Sequence, residues 1–289
     1  RLLAPFFAPR IALGVGAVAF EMLPYNVDMS AEFLSGLKHI VLVGEDPPVN
    51  FFAYPGKPST PEPAGCAVGQ LCFADWDVMW TLEKLADAAG VEGSEDVARI
   101  SLDVPPPESG PLSAEGIGRG LANLIPDGAI MVNEAVTAGP GIWPAVNSAR
   151  LHDRINNTGG SIGQCLPNAL GAAVAYPHRP VFAVSGDGSA MYQVQCLWTA
   201  AREGLNITFV IIANRGYQIL HAELQAQGAP EPGRNARAMF DIEDPLIDWV
   251  ALAAGHGVPA VRADTEETFA QAMEMAAGTQ GPFLIEAAI

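Results

Sequence analysis

Two apolar runs separated by a helix-like segment constrain the fold of this chain more than any other feature. Residues 181–184 and 207–213 are rich in Val, Ile and Phe, and apolar residues recur at helical spacing across residues 190–203. Short β-branched runs that alternate with helical segments are typical of βαβ units. The order strand, helix, strand therefore predicts two parallel strands joined by a crossover helix.

A polar side chain follows each of these two strands. The first strand leads into Gly186-Asp187-Gly188-Ser189, and the second ends at Asn214. The carboxyl ends of parallel strands meet at one edge of a sheet, which is the edge where such folds bind ligands. We therefore expect Asp187 and Asn214 to lie close together at that edge.

The residue types at this edge suit a divalent cation that binds together with a diphosphate. Asp187 offers a carboxylate, Asn214 an amide oxygen and Gly216 its main-chain carbonyl, and Mg²⁺ prefers such oxygens. The glycines beside Asp187 let the main chain approach a phosphate, and a helix that begins at Ser189 would point N–H groups at it. One formal charge is little for a complete metal cage, so we expect phosphate oxygens to complete the coordination.

Other segments extend the alternation of strands and helices to most of the chain. Strands are predicted at residues 129–133 and 283–287, and helices at residues 113–124, 166–175 and 266–277. Near-continuous Val and Ile runs indicate a parallel sheet that is covered on both faces. We predict an α/β fold with a doubly wound parallel sheet in residues 113–289, preceded by a smaller, truncated Rossmann-like α/β domain.

The smaller domain is predicted to span residues 1–92. A buried strand at residues 38–44, a short strand near 70–73 and a helix at 77–89 define it, and the Pro- and Gly-rich residues 93–112 form the predicted linker. Gly14-x-Gly16-x-x-Ala19 imitates a dinucleotide fingerprint after an apolar run. No convincing acidic residue follows at a strand end, so we favour an ordinary glycine loop there.

Composition excludes several other classes of protein. Hydrophobic residues make up 49% and charged residues 16% of the 289 residues, which is typical of a folded globular protein. The net charge of −17 would repel nucleic acids and anionic membranes, and no apolar run is long enough to span a bilayer. The four cysteines form no C-x-x-C pair, so we expect free thiols in a reducing cytoplasm.

The motif at the sheet edge resembles that of one enzyme superfamily. Gly186-Asp187-Gly188, followed one helix and one strand later by Asn214, is similar to the metal motif of thiamine-diphosphate-dependent 2-oxo acid decarboxylases and acetolactate synthases. Asn133-Glu134 with Thr137, and residues 159–163 with Leu166-Pro167, resemble the same group. The resemblance implies the pyrophosphate-binding domain of an acetolactate-synthase-like large subunit, preceded more loosely by the middle domain.

The resemblance also implies a role for each residue of these motifs. Asp187, Asn214 and the Gly216 carbonyl would hold Mg²⁺. The residues that would bind thiamine diphosphate are Thr137, Gly160, Ile162, Gly186, Gly188, Ser189 and Tyr217. Ile162 would bend the cofactor from beneath and the Gly160 carbonyl would accept a hydrogen bond from its aminopyrimidine, so these two are the predicted catalytic contributors.

Each motif residue also has a plain structural explanation. A Gly-Asp-Gly turn can simply cap a helix, the Thr137 hydroxyl can bond its own main chain in a turn, and Ile162 can be a core residue. His221 could lie near the mouth of the site, although a position at the surface or the edge of the core is the more ordinary expectation.

The implied reaction is decarboxylation of a small 2-oxo acid with carboligation. Ile162 stands where acetolactate synthase typically has Met, and Arg215 where a second Asn is usual. Residues 197–201 are closer to benzoylformate decarboxylases, so a simple decarboxylase is the second hypothesis. A non-catalytic, cofactor-binding paralogue is the third.

The superfamily implies partners as well. Its catalytic glutamate belongs to an N-terminal pyrimidine-binding domain that we do not find in this chain, so we expect the isolated chain to be inactive. Members build their site across a dimer, which predicts a homodimer or homotetramer. Some relatives hold FAD in the middle domain, but nothing in residues 1–90 supports FAD here.

Overall fold

The computed structural model describes residues 1–91, 93, 97–229 and 231–289, which form two compact units. The strands are β1 Leu3–Ala4, β2 Arg10–Leu13, β3 Glu21–Met22, β4 His39–Val43, β5 Ala67–Cys72, β6 Ala129–Glu134, β7 His152–Asn156, β8 Val181–Gly186, β9 Ile207–Ala213, β10 Ala260–Ala263 and β11 Phe283–Ala288. The α-helices are α1 Val27–Phe33, α2 Val78–Ala89, α3 Ala114–Leu124, α4 Gly139–Asn147, α5 Cys165–Ala175, α6 Asp187–Ala190, α7 Cys196–Glu203, α8 Gln218–Ala226, α9 Arg234–Phe240, α10 Trp249–Gly255 and α11 Glu266–Ala277. No helix among the described residues is long and apolar enough to cross a membrane.

The second unit, Pro9–Ala17 and Arg99–Ile289, is built on a seven-stranded sheet. The strand order is β10-β11-β9-β8-β6-β7-β2, and every pair is parallel except β2 with β7. All seven residues of β9 and all six of β11 are buried, as expected for strands covered on both faces. The predicted parallel sheet is therefore confirmed.

Helices cover both faces of this sheet. On one face α3, α4 and α11 contribute Ile117, Ile142 and Phe269 to a single apolar core. On the other face α5, α7 and α10 contribute Leu166, Leu197 and Trp249 to a second core. These side chains supply the buried apolar area that holds the layers together, and the predicted doubly wound α/β fold is confirmed.

The strand order reverses between β6 and β8. The chain leaves β6 through α4 on the first face and leaves β8 towards α7 on the second face. In an open α/β sheet, two connections that depart to opposite faces from neighbouring strands open a crevice at the carboxyl ends of those strands. The crevice of this chain therefore lies at the ends of β6 and β8.

The helix predicted at residues 190–203 is interrupted. One α-helical turn, α6, begins at Asp187 rather than Ser189; a 3-10 turn at Met191–Gln193 follows, and α7 begins only at Cys196. Leu197 is buried, whereas Met191 and Trp198, which also belong to the apolar pattern of residues 190–203, are exposed. The prediction of one continuous helix over this segment was therefore wrong.

The first unit, Arg1–Ala8 and Val18–Ala98, contains a two-stranded parallel sheet of β4 and β5. Strand β4 and helix α2 lie where the sequence predicted them, and β5 overlaps the strand predicted near residues 70–73 but begins at Ala67. The prediction that residues 38–44 form a buried strand is wrong within this unit, because Val41 is 64% exposed. Helix α2 likewise has no buried residue.

Residues 9–17 were predicted in the first domain, but the structure places them in the second unit. Strand β2 pairs antiparallel with β7, which adds a long-range edge strand that local sequence does not signal. At the following Gly14, φ is +89° and an added Cβ would meet the Arg150 carbonyl oxygen at 2.2 Å. The next helix begins only at Val27, so Gly14 and Gly16 form no dinucleotide fingerprint.

Most of the predicted linker, residues 93–112, is part of the second unit rather than a connection between units. Residues 99–112 belong to the second unit, where the Leu112 amide donates to the Asp264 carbonyl oxygen at 2.9 Å and Leu112 is buried. Residue 92 and residues 94–96, at the predicted boundary, lie outside the described residues.

Candidate functional site

Asp187 lies at the carboxyl end of β8, at the crevice. Its side chain is almost fully buried, with Oδ1 accepting from the Gly188 amide and Oδ2 from the Arg215 amide, both at 2.8 Å. Burial raises the pKa of Asp187, and the main-chain N–H groups of Arg215 and Gly188 oppose that rise. The carboxylate thus joins the end of β8 to the loop that follows β9.

The loop after β9 contains the other two predicted metal ligands. The Gly216 amide donates to Asn214 Oδ1 at 3.3 Å, and Arg215 between them has φ +59°. Arg215 is the one non-glycine with a positive φ among residues 1–91, 93, 97–229 and 231–289. This left-handed conformation turns two successive amides towards Asp187 and Asn214, so the structure brings the three predicted metal residues together.

Tyr217 lies across Gly188. A Cβ atom added to Gly188 would lie only 2.6 Å from Cε1 of the Tyr217 ring. The Tyr217 amide donates to the Phe240 carbonyl oxygen at 2.8 Å, which fixes the residue that carries the ring. Burial, with Tyr192 and Asp187 nearby, raises the pKa of the Tyr217 hydroxyl. Gly188 and Ser189 are buried beneath it in α6.

The remaining predicted cofactor residues lie on two loops beside the crevice. Thr137 is exposed in the turn after β6. Gly159 and Gly160 adopt left-handed conformations, with φ +63° and +64°, and Ile162 is only partly buried. Ile162 therefore belongs to neither buried core, although core packing was its plain explanation.

The glycine loop contacts the segment that follows Asp187. A Cβ atom added to Gly163, whose φ is +92°, would lie 2.7 Å from Cβ of Tyr192. This close approach requires glycine and sets residues 159–163 beside the 3-10 turn at Met191–Gln193.

Glu134, which the sequence analysis gave only as part of a motif, and Gln164 make contacts beside the crevice that the sequence did not predict. The Glu134 side chain is 1% exposed; its Oε1 accepts from the Gln164 amide at 3.0 Å and its Oε2 from the Ser185 hydroxyl at 2.8 Å. Burial raises the pKa of Glu134, while the hydrogen bond from Ser185 opposes the rise. An acidic residue at the last position of a buried strand was the available signal.

His221 lies on α8, the helix that begins directly after Tyr217, and not in the cluster around Asp187. Its Nε2 is 3.0 Å from Asp241 Oδ1, and its ring packs edge-on against Phe240. Asp241 in turn forms an isolated β-bridge with Gly216. The pair therefore joins α8 to Asp241, the residue that follows α9, beside Gly216.

The donor set at Asp187 suits a cation that brings ligands of its own. Within the described part of the chain, no group of three or more His, Cys, Asp or Glu residues could hold a metal ion. Oδ1 and Oδ2 of Asp187 accept from the Gly188 and Arg215 amides, and each carboxylate oxygen has two lone pairs, so the carboxylate retains capacity for a cation. The residues therefore fit a hard cation shared with phosphate oxygens rather than a complete protein cage.

Residues 142–287 match the family model described as thiamine pyrophosphate enzyme, C-terminal TPP binding domain. Over its full length the chain is 42% identical to 56% of a Mycobacterium tuberculosis protein provisionally named acetolactate synthase large subunit IlvX. It is also 32% identical, over 73% of its length, to 39% of the benzoylformate decarboxylase of Pseudomonas aeruginosa. The chain thus spans about half the length, or less, of the relatives it matches.

Solved structures give a similar result. A thiamine diphosphate-dependent 4-hydroxybenzoylformate decarboxylase from Rhodococcus jostii superposes with a TM-score of 0.75 at 26% identity, covering 93% of this chain and 52% of that one. Benzoylformate decarboxylase from Polynucleobacter necessarius superposes with a TM-score of 0.77 at 22% identity, covering 99% of this chain and 56% of that one. At 22% identity, the second likeness concerns the fold alone.

Proposed function

The chain belongs to the thiamine pyrophosphate enzymes, and from that membership we propose that it binds thiamine diphosphate and Mg²⁺ for the decarboxylation of a 2-oxo acid. The observation that carries this proposal is the buried Asp187 carboxylate, held by the amides of Gly188 and Arg215 at the ends of two neighbouring strands. A buried carboxylate with unused lone pairs at a ligand-binding edge is suited to a hard cation.

The residues divide between the metal and the diphosphate. Asp187, Asn214 and the Gly216 carbonyl would hold Mg²⁺. The diphosphate would lie against Gly186, Gly188, Ser189 and Thr137, with Tyr217 beside it, because the glycines allow a close approach of the main chain. The positive charge of the metal favours the ionised form of Asp187, which burial alone disfavours.

Bound thiamine diphosphate supplies the carbon nucleophile and takes up the electrons that are released with CO₂. The residues of this chain orient the cofactor for that chemistry. The Gly160 carbonyl would accept a hydrogen bond from the aminopyrimidine, and the partly buried Ile162 would support the bend between the two rings. Proton transfer would depend on a glutamate of a pyrimidine-binding domain outside residues 1–289, so we expect the isolated chain to be inactive.

Carboligation, as in acetolactate synthase, is the reaction we favour, because the 42% identity extends over the full length of this chain. Simple decarboxylation is the second candidate, supported by the 32% identity to a benzoylformate decarboxylase. With pyruvate as the substrate, the complete enzyme would yield acetolactate in the first case and free acetaldehyde in the second. We propose a homodimer or homotetramer as the assembly in either case.

Calorimetric titration of thiamine diphosphate into the chain, with and without Mg²⁺, tests the proposal. We expect saturable binding that requires Mg²⁺ and weakens at least about tenfold in Asp187→Asn, since a ligand with a formal charge is lost. Asp127→Asn is the matched control, because Asp127 is exposed in a turn outside the crevice. Equal binding by Asp187→Asn, or no binding by the folded wild-type chain after its N-terminal pyrimidine-binding domain is restored, would refute the proposal.

A further inference from the structure

The glycine loop that would meet the aminopyrimidine has little intrinsic order. Thr158, Gly159, Gly160 and Ser161 are exposed, and the two glycines adopt consecutive left-handed conformations. Glycine loses more conformational entropy than other residues when it is fixed in one conformation. A loop of this composition needs contacts from outside itself to present its carbonyl groups in one arrangement.

The Gln164 side chain supplies those contacts. Its Nε2 group lies 2.7 Å from Asn157 Oδ1, 3.0 Å from the Thr158 carbonyl oxygen and 2.7 Å from the Ser161 carbonyl oxygen. Its Oε1 accepts from both the amide and the hydroxyl of Thr158 at 3.3 Å. One carboxamide therefore uses its donors and its acceptor to bridge the two ends of the loop.

Glu134 fixes the main chain from which this carboxamide extends. Its Oε1 accepts from the Gln164 amide, and its Oε2 accepts from Ser185, two residues before Asp187. A buried carboxyl without such partners would be costly, so the three groups hold one another in place. The connection runs from the end of β6, through the glycine loop, to the end of β8.

We infer that Gln164, anchored by Glu134, is a positioning residue that orders residues 158–163 for recognition of the aminopyrimidine part of the cofactor. This inference rests on the proposed function. The diphosphate part of the ligand belongs to Asp187 and the residues around it, none of which the Gln164 side chain contacts in the hydrogen bonds described above. Removing the carboxamide should therefore weaken recognition of the aminopyrimidine and leave recognition of the diphosphate unchanged.

The expected effect depends on which ligand is measured. Gln164→Ala should bind thiamine diphosphate with Mg²⁺ roughly 10- to 30-fold more weakly, as expected when one or two net hydrogen bonds no longer order the binding loop. Inorganic pyrophosphate with Mg²⁺ should bind the variant and the wild type within about twofold, because it lacks the pyrimidine. A residue that merely supported folding would weaken both ligands together.

The experiment combines calorimetry of both ligands with hydrogen exchange of the ligand-free chain. Residues 158–163 should lose protection in Gln164→Ala while β8 and α5 keep theirs. Gln271→Ala, at an exposed position of α11, is the matched control and should change neither measurement. Gln164→Met, which keeps the length of the side chain without its hydrogen bonds, serves if the alanine variant does not fold.

The outcomes separate this inference from the proposed function. Equal losses of both ligands, or unchanged thiamine diphosphate affinity with an unchanged loop, would overturn the positioning role alone. A folded wild-type chain that binds neither ligand, even after its N-terminal pyrimidine-binding domain is restored, would overturn the proposed function and the inference that rests on it. Selective loss of thiamine diphosphate affinity with a deprotected loop supports both.

Discussion

Replacing Gly188 with Ala should destabilise the site through a single clash. The new Cβ atom would lie 2.6 Å from Tyr217 Cε1, whereas non-bonded carbon atoms are most stable about 3.5–4.0 Å apart. Because the Tyr217 main chain is held by Phe240, the ring or the turn must shift. Overpacking of this kind costs about 1–3 kcal/mol of unfolding free energy.

The same substitution should lose its cost when the ring is absent. In a Tyr217→Ala background, Gly188→Ala should be neutral or stabilising by up to about 1 kcal/mol, because Ala is the better helix former. A coupling energy of at least about 1 kcal/mol between the two positions follows. Gly171→Ala is the matched control. Gly171 lies in α5, and beyond the backbone of that helix no atom of the described residues would lie within 4 Å of an added Cβ, so the substitution should not destabilise.

The assay is urea unfolding of the ligand-free chain, followed by hydrogen exchange of the amides in β8 and β9. These strands adjoin Asp187 and are buried, so their protection reports the stability of the second unit. If Gly188→Ala costs the same with and without the Tyr217 ring, the ring does not lie across Gly188 and the reasoning fails.

Three further predictions concern charge, strain and reactivity. Burial raises the pKa of Glu134, so the wild-type unfolding free energy should fall as pH rises from the ordinary glutamate range through the folded-state pKa; Glu134→Gln lacks this fall. The urea midpoint of Glu134→Gln relative to that of the wild type should therefore be higher at pH 7 than at pH 4. A difference between the two midpoints that does not change with pH would contradict burial of Glu134 as the cause. Arg215→Asn should raise the unfolding free energy by about 1 kcal/mol, because Asn tolerates a left-handed conformation better than Arg; an unchanged midpoint would argue against strain there. In the native chain a thiol reagent should label the partly exposed Cys66 and spare Cys165, whose thiol pKa is raised by burial; rapid labelling of Cys165 would show that α5 opens.

The strands and capped helices of the second unit were predictable because their signals are local. The apolar run of β9 matches its observed bounds, and α3 begins after Ser113, whose hydroxyl accepts from the Gly116 amide at 3.1 Å. Helices α8 and α9 were not predicted: they span only nine and seven residues, fewer than the twelve of α2, so an apolar stripe has little length over which to recur. Without an apolar stripe, sequence periodicity cannot reveal a helix.

The candidate site, like the fold, was predictable from the sequence only in part. That Asp187 lies close to the loop after β9 was expected, because neighbouring parallel strands end at one edge whatever their side chains. The contacts of Glu134 and Gln164 were not expected, because they depend on how the turn before α5 lies against β6 and β8. Hydrogen bonds between distant loops follow from tertiary packing rather than from local pattern.

The pairing of β2 with β7 makes the second unit discontinuous in sequence, because Val18–Ala98 of the first unit separate its two segments. The chain enters the larger unit at Pro9, leaves after Ala17 and returns at Arg99. The two ends of this break lie side by side. The Gly16 amide donates to the Ile100 carbonyl oxygen at 2.9 Å, and the Ile100 amide donates to the Ala17 carbonyl oxygen at 2.8 Å. An excised domain that starts at residue 113 would therefore lose this edge strand and leave β7 as an exposed edge prone to aggregation. A chain that starts at residue 9 and joins residue 17 to residue 99 by a short turn would preserve the whole sheet.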